Sequence, residues 1–492
     1  MLFAACVLAA LAAPAAATGG QAKPAKRANP LMKPSTLPFQ APEFDKIKDS
    51  DFQPAFEAGI REQRAEILKI ADNPAPPTFE NTIVALERSG QLLSRVSMIF
   101  NGLVGANADA VLEKVQEVEA PKLSAVRDEM LLNGKLFQRV ETIYDARATL
   151  KLGAEGTRLV EYYHQQFVRA GARLSAADKA QLKKLNEEDA TLSAQFMSRL
   201  LAGTKAGALV VSDKAKLAGL SPAQIDAAAQ AAKARGLTGK WVIPLQNTTQ
   251  QPDLAELTDR ATRQALFEAS WNRTERGDAN DTRKIIARLA QLRAEQAKLL
   301  GYPDYAAWKL TDQMAKTPEA VNHFMDQLVG PATARARAEA AELQKLIDEQ
   351  HGGFTLEPWD WEFYAEQVRK AKYSIDENQI KPYFLLSRVL TDGVFYAAHQ
   401  LYGLTFKERH DLPVYEKTVR VFEVFDKTGA PLGLFYADYF KRDNKSGGAW
   451  MDNFVVQSKL LGTKPVIYNV ANFAPPAPGQ PALITSDDVV TM

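Results

Sequence analysis

Apolar residues return at helical spacing along most of this chain, and that periodicity constrains the fold more than any other feature. Behind Ser50 or Asp51 as a candidate cap, Phe52, Phe56, Ile60, Ile67 and Ile70 line one face, with Pro54 tolerated in the first turn. Pro74 to Pro77 breaks the pattern, and Thr78 opens a further helix through Ile83, Leu86, Leu92 and Val96. Ser175-x-x-Asp178 resembles a capping box, and Leu182, Leu185, Leu192, Phe196 and Leu200 behind it form a core stripe. Ser221-Pro222 predicts a cap with proline at the first helical position, and Gly236 predicts the close. Helical patterning resumes at Leu254 and runs past Leu300, with a break near Gly277-Asp278 and a turn at Gly301-Tyr302-Pro303. No solenoid period recurs. The expected class is mainly α.

Strand signals are few and late. Trp241 to Leu245 is short and β-prone, but the polar run Gln246 to Gln251 argues against a long strand. Val419 to Asp426 alternates, Lys427-Thr428-Gly429 reads as a turn, and Leu432 to Asp438 reads as its hairpin partner. Val466 to Phe473 predicts another strand before the Pro475 to Pro481 loop. Together these predict a small antiparallel sheet near the C-terminal end. Ser486-Asp487-Asp488 then offers a capping hydroxyl and two carboxylates before Val489-Val490-Thr491-Met492. A lone helical turn fixes dihedrals for little hydrogen-bond return, so the expectation is a fragment whose next element is missing.

Charge and composition exclude several classes. The 60 Lys+Arg against 59 Asp+Glu give a net +1, so no global field draws in nucleic acid or an anionic membrane. Hydrophobic residues at 46% and charged residues at 24% belong to a globular chain rather than a disordered one. Leu2 to Ala17 is an uncharged Ala/Leu run ending in Ala15-Ala16-Ala17, the pattern of a signal peptide and its cleavage site. A retained anchor is the alternative, although about 16 residues fall short of the ~20 a membrane span needs. Export to the periplasm is expected, or a cytoplasmic location if Met1 is not the true start. Cys6 is the only cysteine, so a processed chain would have no thiolate chemistry. Gln21 to Pro42, rich in Pro, Ala and Lys, reads as a linker or arm.

The chemistry-bearing residues are sparse. None of His164, His323, His351, His399 and His410 stands four residues from another, so no H-E-x-x-H zinc pair exists. No G-x-S-x-G elbow occurs, and Gly239-Lys240 is followed by Trp241 where a phosphate loop needs Ser or Thr. Glu357-Pro358-Trp359-Asp360-Trp361-Glu362-Phe363-Tyr364 mixes acids with aromatics, either lining a cleft or starting a helix whose tryptophans enter the core. Ser446-Gly447-Gly448-Ala449-Trp450, beside the expected sheet, is either an edge that takes an extended peptide by strand addition or a flexible turn.

Several motifs together resemble one known family. They are Phe79-Glu80-Asn81-Thr82, Leu292-Arg293-Ala294-Glu295 through Leu300-Gly301-Tyr302, Pro358 to Tyr364, Lys381-Pro382-Tyr383-Phe384, Gly433-Leu434-Phe435-Tyr436-Ala437-Asp438 and Lys445-Ser446-Gly447-Gly448-Ala449-Trp450. From about Asn29 to Met492 the chain resembles the zinc metallopeptidases that include thimet oligopeptidase, oligopeptidase A and the bacterial peptidyl-dipeptidases, and is most like the last. The resemblance implies a monomeric helical ellipsoid split by a deep channel, with zinc on its floor and the small sheet along its wall. It implies oligopeptide substrates that lose dipeptides from their C-termini. After a signal at 1–17 and an arm at 18–42, residues 43–250 would form an N-terminal helical subdomain and 251–492 the first part of the catalytic domain.

In that family the helix opened here by Ser486 to Met492 carries H-E-x-x-H, and Met492 falls just before the motif's expected place. The expectation is therefore a zinc peptidase as the parent protein, with no catalytic residue and no metal ligand in the chain as given. Such a chain should bind no catalytic zinc and cleave nothing. Only Gly447, Gly448, Ala449 and Trp450 transfer as a substrate-facing element. The alternative is a non-catalytic peptide-binding or helical scaffold protein.

Overall fold

A computed structural model describes residues 27–245, 251–374, 377–476 and 479–492. The expected signal at Leu2–Ala17 with Cys6, the arm up to residue 26, and all of the run Gln246 to Gln251 except its last residue lie outside them. The rest of the arm lies against the protein, with Leu31 buried within a short turn at Pro30–Met32 and with a second short turn at Pro38–Gln40.

The protein is mainly α. Its longer helices are α1 (Phe52–Ala71), α2 (Gln91–Ala106), α3 (Ala110–Leu131), α4 (Gly134–Ala146), α5 (Ala154–Ala170) and α6 (Ala176–Ala206). They continue with α7 (Pro222–Ala234), α8 (Arg260–Trp271), α9 (Arg283–Leu299), α10 (Pro318–Glu349) and α11 (Trp361–Tyr373), and a short α12 spans Ser486–Thr491. The caps explain the boundaries. Ser175 Oγ accepts from the Asp178 amide at 3.1 Å, and Ser221 and Gln224 form a full capping box that starts α7. Gly236 follows α7 at φ +71, a conformation that favours glycine. Thr78 caps a π-helical turn, Phe79–Val84, in a reciprocal pair with Asn81, but the helix expected to run on to Val96 is broken at Ser89 and Gly90 (φ +69), so that Leu92 and Val96 belong to α2.

Two caps differ from expectation. Asp51 makes no cap bond to α1; it ends a 3-10 turn and its carboxylate accepts from the Lys48 amide at 2.9 Å. The cap of α12 is Thr485, whose hydroxyl accepts from the Asp488 amide while Asp488 returns the bond, so Ser486 is already inside the helix.

Strands β1 (Leu209–Val211) and β2 (Trp241–Ile243) form a small antiparallel ladder. The main sheet contains β3 (Thr405–Arg409), β4 (Arg420–Phe425), β5 (Pro431–Phe440), β6 (Trp450–Val455) and β7 (Val466–Phe473), in the order β3-β4-β5-β7-β6. The hairpin and the last strand stand where the alternation places them. The sheet is mixed rather than antiparallel, because β7 runs parallel to β5 and antiparallel to β6. The chain returns through 441–449 and β6, and β7 then inserts between β5 and β6. Gly433 permits that insertion, since a Cβ there would sit 2.4 Å from the Pro465 carbonyl oxygen.

One core draws on both ends of the chain. Phe52, Phe56, Val96, Phe100 and Leu103 of α1 and α2 are buried with Val421, Leu434, Tyr436, Phe454, Val466 and Tyr468 of the sheet. A separate core lies among α4, α5 and the Phe79–Val84 turn, with Ile83, Leu136, Val140 and Phe167 at its centre. In contrast, the first half of α10 exposes Phe324, Met325, Leu328 and Val329.

The acid-aromatic cluster is a joint between helices. Asp360 is 0% exposed and accepts from Arg260 Nε and Nη2 and from Arg263 Nη2, all within 3.1 Å. The guanidinium of Arg260 lies 4.0 Å from the Phe354 ring centroid and that of Arg263 4.1 Å from Phe363. The segment does start a helix and buries Asp360 and Tyr364, but the tryptophans expected in the core, Trp359 and Trp361, are only half-buried. Replacing Asp360 with Ala strands Arg263, itself 2% exposed, as an uncompensated charge. A loss of about 3–5 kcal/mol is expected, read from the midpoint of denaturant unfolding.

Candidate peptide-binding edge

The stretch singled out in the sequence forms the entry to an edge strand. Among the described residues β6 pairs with β7 on one side only. A face of β6 rests on α2, where two glycines lower the helix surface. A Cβ on Gly102 would lie 2.5 Å from Phe454 Cε1, and one on Gly105 would lie 3.3 Å from Trp450 Cζ2. The Trp450 side chain therefore packs on helix α2, and the outer backbone of its strand is what faces outward. Phe454 enters an aromatic group with Phe44 at 5.2 Å, Tyr436 at 5.7 Å and Tyr468 at 4.4 Å between centroids.

Gly447 and Ala449 are exposed, and Gly448 takes φ +82 with open space where a Cβ would be. The glycine at 448 thus serves the turn into β6. Four groups hold this turn. The Ser446 amide donates to the Gly105 carbonyl at 2.7 Å, and the Asn472 amide group donates to the Ser446 and Gly448 carbonyls at 2.9 and 2.8 Å. The Asn444 side chain donates to Asn107 Oδ1 and the Ala108 carbonyl at 3.1 and 3.0 Å. The Lys445 ammonium, 0% exposed, donates to the Asp438 carbonyl, Asp438 Oδ1 and the Phe440 carbonyl, each at 2.9 Å.

Asp438 is also buried and accepts from the Tyr415 hydroxyl at 2.7 Å and from Arg442 at 2.6 and 2.9 Å. Burial alone would raise its pKa, but the Arg442 hydrogen bonds and the Lys445 charge hold it below the ordinary carboxylate value. Burial pulls the Lys445 ammonium down to about 8 against the opposing pull of Asp438. The Tyr415 phenol is pushed upward by burial first and by the Asp438 charge second.

A zinc ion does not fit the donor set here: no three His, Cys, Asp or Glu converge among the described residues. His164 stacks on Tyr144 at 3.7 Å, the His399 ring bonds the Leu404 carbonyl at 3.0 Å, and His323 meets Gln327 at 3.0 Å. His351 lies in the turn after α10 and His410 beyond β3.

The residues that sequence reasoning missed are Gly102, Gly105, Asp438 as a charge hub, and Asn472. Gly102 and Gly105 did leave a signal, since paired glycines inside a helix lower its stability unless packing requires them.

A mainly helical fold thus carries a mixed sheet in which β6 is an edge strand entered through a glycine turn. The family model described as Peptidase family M3 matches residues 254–492. The chain is 55% identical to the dipeptidyl carboxypeptidase of Escherichia coli (strain K12) over 464 residues, covering 94% of this chain and 68% of that protein. It is 29% identical to oligopeptidase A of the same strain, over 94% of this chain and 69% of the relative. A probable thimet oligopeptidase of Arabidopsis thaliana is 24% identical over 84% of this chain and 57% of its own. This chain belongs to peptidase family M3.

On an open helix face, Gly→Ala stabilises by ~0.4–1 kcal/mol. At position 102 the contact with the buried Phe454 ring opposes that gain. Gly102→Ala is therefore expected to lower stability by about 1–3 kcal/mol, and an unchanged or raised unfolding midpoint would show that β6 does not depend on α2.

Proposed function

We propose that this chain supplies the peptide-holding wall of a zinc-dependent peptidase that releases dipeptides from the C-termini of oligopeptides. One observation supports it most directly: β6 is an edge strand whose entry is pinned on three sides, so its outer backbone can pair with an extended peptide. The dipeptidyl carboxypeptidase at 55% identity supports the dipeptide product. In this reading Gly447, Gly448, Ala449 and Trp450 face substrate, residues 43–250 form a helical subdomain, and 251–492 belong to the catalytic domain.

The zinc and the hydrolytic step are assigned to the parent protein. The residues described here lack a converging donor set, so the chain as given is proposed to bind no catalytic zinc and to cleave nothing. That same observation favours the second reading, a non-catalytic peptide binder. Export, with residues 1–17 as the signal, and a monomeric state complete the proposal. No helix among the described residues is long and apolar enough to cross a membrane.

Two measurements test this. A fluorescein-labelled octapeptide of alternating valine and threonine should bind the chain, while a twin with alternate amides N-methylated should bind at least tenfold more weakly, because it cannot complete the ladder; equal binding would refute strand addition. Purified protein incubated with zinc and dialysed should retain less than one equivalent and leave the octapeptide intact. Stoichiometric zinc with hydrolysis would overturn the assignment of chemistry to the parent protein alone.

A further inference from the structure

Two of the side chains that restrain the turn before β6 come from the neighbouring strand β7 and from the loop after β5. From the β7 side comes Asn472, whose Nδ2 spans the turn and donates to both the Ser446 and Gly448 carbonyls. Its orientation is fixed by chemistry: a flipped amide would set its oxygen against two carbonyl oxygens. The buried Asn472 Oδ1 has no hydrogen-bond partner, so the side chain gives up one acceptor in order to place both donors on the turn. From the β5 side comes Lys445, whose three N–H donors meet three acceptors at the end of that strand. Between these two anchors lies Gly448 at φ +82, the most deformable point of the segment.

Such a turn would otherwise sample many conformations, and a strand entered through it would lose its register against an incoming peptide. Ordering that backbone in advance removes a cost of about 1–2 kcal/mol per residue from the binding step. We propose that Asn472 and Lys445 are positioning residues that lock the Ser446–Gly448 turn and so hold the β6 edge ready for a peptide backbone. This inference rests on the edge reading above. Neither residue touches the peptide; both act through the turn.

The Lys445 side of the lock is sensitive to pH. The charged groups around its ammonium are Asp438 on β5, Arg442 in the same loop and Glu416 in the segment before β4, with the Tyr415 hydroxyl against Asp438. As pH rises through about 8, the ammonium becomes an amine with two N–H donors for three acceptors, and Asp438 keeps Arg442 as its one adjacent cation. The lock should loosen in that direction.

The test uses the full chain, the octapeptide and its N-methylated twin. Asn472→Asp keeps the side-chain shape but replaces two donors with a carboxylate facing two carbonyls; Asn472→Ala, at a half-buried position, removes the clamp without repulsion. Both should weaken octapeptide binding by about tenfold or more, and amide exchange at 446–450 should quicken while β4 exchanges as before. Lys445→Met should likewise weaken binding and abolish the loss of affinity expected of the unsubstituted chain as pH passes about 8. Should Lys445→Met fail to fold, the two Asn472 variants carry the test.

Full affinity with unchanged exchange at 446–450 in both Asn472 variants would overturn the positioning role while leaving the edge reading standing. If the parent chain itself binds octapeptide and twin alike, the edge reading falls, and the positioning role falls with it whatever the exchange shows.

Discussion

The region that defines this protein is built around one buried carboxylate. Asp438 is fully enclosed, and an ionised group there is tolerable only when its lone pairs are met by charge and hydrogen bonds. Tyr415, Arg442 and Lys445 meet them. The partners come from two segments: Tyr415 from the stretch before β4, and Arg442 and Lys445 from the loop after β5. Arg442 reaches further, donating to the Ala106 carbonyl at the end of α2 at 2.6 Å. The demand to neutralise one charge thus fixes where a helix from the first quarter of the chain meets a sheet from the last.

Packing and polar contacts divide the work at that junction. Aromatic side chains of the size of Phe44, Tyr436, Phe454 and Tyr468 each bury roughly 150–250 Å², which at ~25 cal/mol per Å² gives an upper figure of roughly 4–6 kcal/mol apiece. A hydrogen bond contributes only about 1 kcal/mol net. Apolar burial, with Phe454 and Tyr468 against Gly102 and with Val96, Phe100 and Leu103 of α2 in the shared core, therefore supplies most of the attraction between α2 and the sheet, but it would tolerate a sliding contact. The hydrogen bonds from Ser446, Asn444 and Arg442 to the end of α2 are directional, and they select a single register.

What could be read from the sequence was what local chemistry dictates. Thr78, Ser175 and Ser221 announce helices because a capping hydroxyl satisfies amides within three residues, and β4, β5 and β7 announce themselves through alternation and a turn. The misread features depend on distant partners. Nothing local distinguishes Asp360, sealed by arginines 100 and 97 positions away, from an acid in a cleft. The parallel pairing of β5 with β7 depends on the path of the intervening chain, and Asn472 has meaning only beside a turn 24 to 26 residues earlier. At the candidate site, the glycine turn was legible because glycine marks unusual backbone, whereas its anchors look like ordinary polar residues of a strand and a loop.

The two free edges of the sheet show how an exposed ladder can stay available without becoming sticky. β3 carries Lys407, Glu408 and Arg409, with ion pairs from Arg420 to Glu408 and from Arg409 to Glu423, a charged border that discourages pairing with another strand. β6 carries a single acid, Asp452, and exposes Met451, so it lacks that degree of protection. Its safeguard is geometric. The register shifts between Asn453 and Val455, so the regular ladder ends after Trp450–Asn453. An edge that short offers a flexible peptide a few backbone bonds but gives a second folded strand too little length for stable association. With strong pairing unavailable, the affinity of the proposed peptide edge would depend on how little order remains to be imposed when a peptide arrives, and rigidity in the turn would then matter more than any added contact.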